Sequence, residues 1–365
     1  MMPLLFLAAL DLDARAAAKA AIDAMNNKFY SSSQAIWSPD DPWWLSGVAL
    51  TGIIDYMRKT NSDDYMDQVK NIIQVQRTQW PQGGGDFRAE STDDTGWWAL
   101  AMVRMYDLTG DTTYLNISVE DEAYIYNCWT SSPCGGGIYV DIKTQSYKNA
   151  IANELYIKLA ASLHNRISND TKYLSRAQTA WSWLQGTGMI NGDNLINDGL
   201  AARDDGTCFN NKLPVWTYNQ GVILGALVEL YHATGDKAHL TSARTIADAV
   251  LASPLLTSTT NKDSTTNNGT LTESSCTPNE QDGCNDDQQV FKGVFAYSLA
   301  ELDDAIPDGS HPYRAYLQQN AQTAYDKARE GSAGGDLYDV SWAGPFRNST
   351  VAKQASAVGL LVAVI

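Results

Sequence analysis

A chain of 365 residues is long enough for one large core or two ordinary domains. Its 44% hydrophobic and 19% charged content is that of a folded globular protein and excludes a disordered one. The net charge of −16, with no Lys/Arg cluster, argues against nucleic acid or an anionic membrane as partner and fits a neutral or cationic substrate, or simply solubility. Eleven Trp and eighteen Tyr either fill a big core or line a ligand cleft.

The chain opens on "MPLLFLAAL" (2–10), as long as the apolar part of a signal peptide but without its basic start. Residues 1–25 are therefore read as the remnant of such a segment or as the start of the helix continuing through "ARAAAKAAIDAM", and 26–365 as one domain. Long apolar-periodic segments follow, with very few alternating strand patterns, which predicts an all-α fold. Four similar turns separate them: "TNSDDYM" (60–66), "TGDTTYL" (109–115), "SNDTKYL" (168–174) and "TGDKAHL" (234–240), with a weaker copy in "HPYRAYL" (311–317). Gly or Asn there ends one helix in a left-handed cap, and Asp caps the next. The copies stand about 50 to 75 residues apart, two helices plus loops. Six such hairpins use the whole chain and close into an (α/α)6 toroid. Its inner helices should be apolar on every side, as "GWWALAMVRMY" and "GVILGALVELY" are. The end, "QASAVGLLVAVI", reads as a last core helix, and no stretch approaches the ~20 apolar residues of a membrane span.

Counting back twenty residues from Tyr114, Tyr173 and His239 reaches Asp94, Asn153 and Asn219, and twenty-one from Tyr65 reaches Trp44. Around them lie "DPWWLSG", "STDDTGWW", "YKNAIANELY" and "WTYNQGV", with "DDQQVFKGVFAY" opening a further helix. Each is polar or aromatic and each opens an inner helix, so these residues should meet at one mouth. A helix cap needs one Asp, not Asp93 beside Asp94 ahead of Trp97 and Trp98. Two carboxyls about 5–5.5 Å apart cleave a glycosidic bond with retention, and about 6.5–9.5 Å apart with inversion. Neighbours at a helix start fit the shorter separation, and one of two close acids should hold its proton and serve as the acid. Trp faces stack on sugars; Asn, Gln, Tyr and Lys read hydroxyls.

These motifs resemble the glycoside hydrolase family of endo-α-1,6-mannanases, family 76, over roughly residues 40–360. The string Asp-Asp-x-Gly-Trp-Trp, then Tyr-Lys-Asn, "INDGL", Tyr-Asn-Gln-Gly and Phe-Lys-Gly come in the family's order. The resemblance implies an (α/α)6 toroid, Asp93 as nucleophile and Asp94 as acid/base, acting on the α-1,6-mannan of yeast and fungal cell walls. It implies substrate contacts from Trp43, Trp44, Trp97, Trp98, Lys148, Asn149, Asn153, Asp198, Tyr218, Asn219, Gln220, Phe291 and Lys292. Tyr139, where many members carry Trp, and Glu154, beside Asn153, depart from the pattern and bear on subsite preference. No cofactor or metal is expected. Asp204–Asp205, a rival acid pair, lacks a Trp-Trp helix behind it and reads as a turn.

The five cysteines read as two local disulfides, Cys128 with Cys134 and Cys276 with Cys284, leaving Cys208 over. Zinc competes, but no Cys-x-x-Cys or His partner is near. The latter pair also resembles that of the fungal branch. Sequons at Asn116, Asn169, Asn268 and Asn348 point with the cysteines to a secreted, extracellular protein, with cell-wall association left open, and a monomer is expected. Two rival functions stay open: a transglycosidase using the same Asp pair on a sugar acceptor, and a non-catalytic mannan-binding protein.

Overall fold

Each expected corner is built from a residue in the left-handed region. Asn61, Gly110, Asn169 and Gly235 have φ of 51°, 71°, 60° and 70°. The Asp that follows three of them caps the next helix: Asp111 accepts from the N–H of Thr113 at 2.8 Å, Asp170 from Lys172 at 3.0 Å and Asp236 from Ala238 at 2.9 Å. In the fifth copy His311 is left-handed, and the cap is lent by Asp303, which accepts from Tyr313 N at 2.7 Å. The computed structural model describes residues 12–79, 85–258, 269–331 and 335–365.

In chain order the helices are α1 (Ala14–Phe29), α2 (Trp44–Thr60), α3 (Met66–Gln76), α4 (Thr92–Thr109), α5 (Thr112–Tyr126), α6 (Ala150–Arg166) and α7 (Lys172–Gly186). Then come α8 (Thr217–Thr234), α9 (Lys237–Ala252), the single turn α10 (Glu280–Gly283), α11 (Phe291–Ala305), α12 (Arg314–Lys327) and α13 (Val351–Ala363). Helices α2, α4, α6, α8, α11 and α13 each pack on the next, and α13 returns to α2, closing a ring. The outer helices lie against this ring, α1 on α13 and α2. The fold is an (α/α)6 toroid. Burial follows from position: α8 is buried from Asn219 through Leu230, whereas outer α9 buries Leu240, Ala243, Ile246, Ala247 and Val250 at helical spacing. Where α8 crosses α11, a Cβ on Gly221 would lie 2.6 Å from the Phe295 backbone, so only glycine permits that approach. No helix among the described residues is long and apolar enough to cross a membrane.

The loops that enter the inner helices share one fastening. The fourth residue of each of three inner helices folds its amide back onto loop backbone. Asn153 holds Ile138 N and O (2.7 and 3.1 Å), and Gln220 holds Ile196 N and O (2.7 and 2.8 Å). Gln354 holds Tyr338 N and Asp336 O (2.9 and 2.8 Å). Thr95, fourth in α4, takes the N–H of Ala89 at 2.9 Å in the same way.

The disulfides require a correction. Cys276–Cys284 is present, but Cys134 pairs with Cys208 across 74 residues, and Cys128 is a buried free thiol. A bridge between Trp129 and Ile138 turns the 129–138 loop into a hairpin. Cys128 stays at its root against the core, while Cys134, with φ of 74°, sits at its tip. There it meets the hairpin of β1 (Leu200–Ala202) and β2 (Cys208–Asn210). Asp204 and Asp205 form the exposed turn of that hairpin, Asp205 taking the N–H of Thr207 at 2.9 Å.

Candidate active site

The inner helices all start at one mouth of the ring. The start of α4 is fastened there by Thr92, whose N–H reaches Val140 O at 2.8 Å and whose hydroxyl reaches Tyr139 O at 2.9 Å. This places Asp93 and Asp94 in a cleft of about 370 Å³. Trp44 from α2, Trp97 from α4, Tyr218 from α8 and Phe291 from α11 supply its walls. Trp44 stacks on Trp97 with ring centres 5.4 Å apart, and Tyr218 on Phe291 at 3.7 Å. The described residues lining the cleft include no Lys, Arg or His.

The two acids are neighbours but not equivalent. Asp93 Oδ1 accepts the Ser91 hydroxyl and, at 3.0 Å, the N–H of Asp94. Burial pushes the Asp93 carboxyl up, and these donors pull it back toward the ionised form. Asp94 receives no hydrogen bond from the described residues. Burial first, then the charges of Asp93 and Asp287, hold its proton well above the usual carboxylate range. Both carboxyls are raised, but the donors and the helix N-terminus favour the anion at Asp93. Nothing comparable among the described residues does so at Asp94, the readier proton donor. That division suits general acid catalysis beside a nucleophile.

The other expected contact residues have different surroundings. Trp98 is fully buried between Trp43 and Phe87, and Trp43 donates to Gln76 at 2.9 Å. Lys148 donates to the carbonyls of Thr130, Pro133 and Gly136 at 2.6–2.9 Å, and Asn149 caps α6. Lys292 pairs with Glu280 at 2.8 Å beneath the Trp342 ring. Asn153 and Gln220 are the loop fastenings described above. Asp198 stands behind the wall, where Tyr147 and the Trp216 indole donate to it. Asn219 and Glu154 are fully buried, with no partner for either polar atom of each among the described residues. Burial raises the Glu154 carboxyl well above its usual range, and Glu154 is not among the residues that line the cleft. The cleft also takes in Pro42, Trp216, Asn285, Asp287 and Gln288. Their signal in the sequence was adjacency, since each precedes the start of an inner helix by a few residues.

A larger cavity, about 640 Å³, opens at the opposite mouth. Its charges are joined to one another: Arg166 to Asp107 at 2.7 Å and Glu229 at 3.2 Å, Lys158 to Glu301 at 2.7 Å, Arg58 to Asp55 at 2.8 Å. The pairs of Arg166 and Lys158 tie α6 to α4, α8 and α11, while Arg58–Asp55 lies within α2.

A family model described as glycosyl hydrolase family 76 matches residues 13–364. The chain belongs to glycosyl hydrolase family 76. A Candida albicans relative in this family, "Mannan endo-1,6-alpha-mannosidase DFG5", is 26% identical over 360 residues, spanning 92% of this chain and 75% of its own. Among solved structures, an inactive variant of the family 76 α-1,6-mannanase of Salegentibacter sp. HEL1_6 with α-1,6-mannotetrose superposes with a TM-score of 0.83. It is 24% identical and covers 97% of this chain and 99% of that one. Dfg5 from Chaetomium thermophilum in complex with glucosamine gives a TM-score of 0.79 at 19% identity, covering 97% and 91%. As a family 76 member this protein is a glycoside hydrolase.

Proposed function

We propose that this protein is a retaining endo-α-1,6-mannanase acting on the α-1,6-linked backbone of yeast and fungal mannan, with Asp93 as nucleophile and Asp94 as acid/base. The observation that carries this reading is the unequal treatment of the two adjoining carboxyls. Oδ1 of Asp93 is held by Ser91 and by the backbone of Asp94, so Oδ2 is the oxygen left to attack the anomeric carbon. Asp94 gives its proton to the departing glycosidic oxygen. The glycosyl–Asp93 ester is then opened by water, whose proton returns to Asp94, and the anomeric configuration is retained. Trp44, Trp97, Tyr218 and Phe291 offer faces on which pyranose rings stack. The name of the Candida albicans relative and the oligosaccharide held by the Salegentibacter enzyme support this substrate.

Two disulfides fit an oxidising, extracellular setting. Asn116, Asn169 and Asn348 are exposed and accessible to glycosylation, while Asn268 lies outside the described residues. We read the protein as a secreted monomer of the wall space.

The test is incubation with unbranched α-1,6-mannan, with chromatography of the products and NMR of the newly formed anomeric centre. Shortened oligomers of α configuration are expected. Elongated oligomers would make the protein a transglycosidase. Normal mannan binding without turnover, matched by Asp94→Asn, would make it a binding protein.

A further inference from the structure

A third carboxylate faces the acid pair. Asp287 lies in the turn that leads into α11, lines the same cleft as Asp93 and Asp94, and accepts the Trp44 indole N–H on Oδ1 at 2.8 Å. Its Oδ2 has no partner among the described residues. No cation among the residues lining the cleft offsets its charge. An Asn at this position could hold the indole equally well through its own Oδ1. The charge of Asp287 raises the proton affinity of Asp93 and Asp94, so a third carboxylate facing the pair needs a reason.

We propose that Asp287 is a positioning residue: Oδ1 fixes the Trp44 face against Trp97, and Oδ2 accepts a hydroxyl of the mannose seated over the Asp93–Asp94 pair. The proposal rests on the mannanase reading and adds to it the group that orients the sugar. A hydroxyl offered to a carboxylate makes a charge-assisted bond, roughly twice as strong as one to a neutral acceptor. Trp44 and the hydroxyl are thus gripped by the two oxygens of one side chain, so the stacked ring and the bonded ring are aligned together. The loop carrying Asp287 is held from behind: the Cys276–Cys284 bridge ends three residues before it, and Asn285 and Gln288 exchange hydrogen bonds at 3.0 Å around it. The negative charge of Asp287 also helps keep the proton on Asp94.

The experiment measures binding of α-1,6-mannotetraose by calorimetry to an Asp93→Asn/Asp94→Asn background, with and without Asp287→Asn, and hydrolysis of linear mannan by Asp287→Asn and Asp287→Ser in the otherwise intact chain. Asp287→Asn should weaken binding at least ten-fold and raise KM more than it lowers kcat, while near-UV circular dichroism of the Trp cluster and the melting temperature stay at parental values. Asp287→Ser, which loses both contacts, should fall further. Binding and KM unchanged in Asp287→Asn would overturn the proposal and leave Asp287 a support for Trp44 alone. If the intact chain neither binds nor shortens mannan, the mannanase reading fails and takes this one with it. If the intact chain does both and Asp287→Asn matches it, only the positioning role is lost.

Discussion

Ser91 donates its hydroxyl to Oδ1 of Asp93, and Asp94, one residue on, has no comparable donor among the described residues. A side chain placed immediately before the helix thus separates two acids that the chain sets side by side. A donor to the charged form lowers a carboxyl's proton affinity, so its loss must raise that of Asp93. Ser91→Ala should therefore move the acid limb of the kcat/KM profile to higher pH and reduce the maximum about ten-fold. A pH–rate profile on mannan checks both, and an acid limb that stays in place counts against Asp93 as the ionised partner.

Asp94 carries the proton because burial and two neighbouring charges keep it there. Activity should fall as pH rises through its raised value, giving the basic limb of a bell-shaped profile. Asp94→Asn should remove that limb and lower kcat on mannan by about 10²–10⁴-fold. A mannoside with an activated leaving group, which needs no protonation, should lose far less. Equal loss on both substrates would argue that Asp94 does not act as the acid.

Asn153 and Gln220 stand where substrate contacts were expected, yet both hold loop backbone. Truncation leaves a buried N–H and C=O unpaired, so Asn153→Ala and Gln220→Ala should each cost about 2–4 kcal/mol of stability. KM for mannan should not change at a temperature where the variants remain folded. Denaturant titration and steady-state kinetics on the same samples separate the two roles.

Glu154 is buried without a hydrogen-bond partner among the described residues, and burial raises its carboxyl well above the ordinary 4.5. Above that ordinary value the unfolded chain has released the proton and the folded chain has not. The folded state then binds more protons, and stability declines with rising pH by up to about 1.4 kcal/mol per pH unit until the folded value is passed. Glu154→Gln removes this slope. The variant should melt with the parent near about pH 4 and above it near about pH 8; coincident curves at both would show that Glu154 finds a partner.

The two disulfides should behave differently. Cys134–Cys208 closes 74 residues, and Cys208→Ser should cost about 4 kcal/mol while leaving kinetics at 25 °C intact. Cys284→Ser loosens the loop that carries Asn285 and Asp287, so there activity should fall before stability does. Cys128 should react with a thiol reagent only after unfolding, because it is buried.

Much of this molecule is local in origin, and its sequence alone determined that part. A left-handed Asn or Gly followed by a capping Asp ends one helix and starts the next wherever it occurs, so the corners at Asn61, Gly110, Asn169 and Gly235 needed no tertiary information. Helices apolar on every side must be enclosed, which determined the inner ring, and the acid pair at the start of α4 went with it to the mouth. Tertiary structure alone decided which neighbours of that pair face the cleft. Successive residues at a helix start point about 100° apart, so Tyr218 meets the axis while Asn219 is buried and Gln220 turns to a loop. It also decided the partner of Cys134, because nearness along a chain says nothing about direction, and a hairpin had already turned Cys128 to the core. Asp287 reaches the cleft for the same reason: the ring brings α11 round to Trp44, which lies 243 residues earlier in the chain.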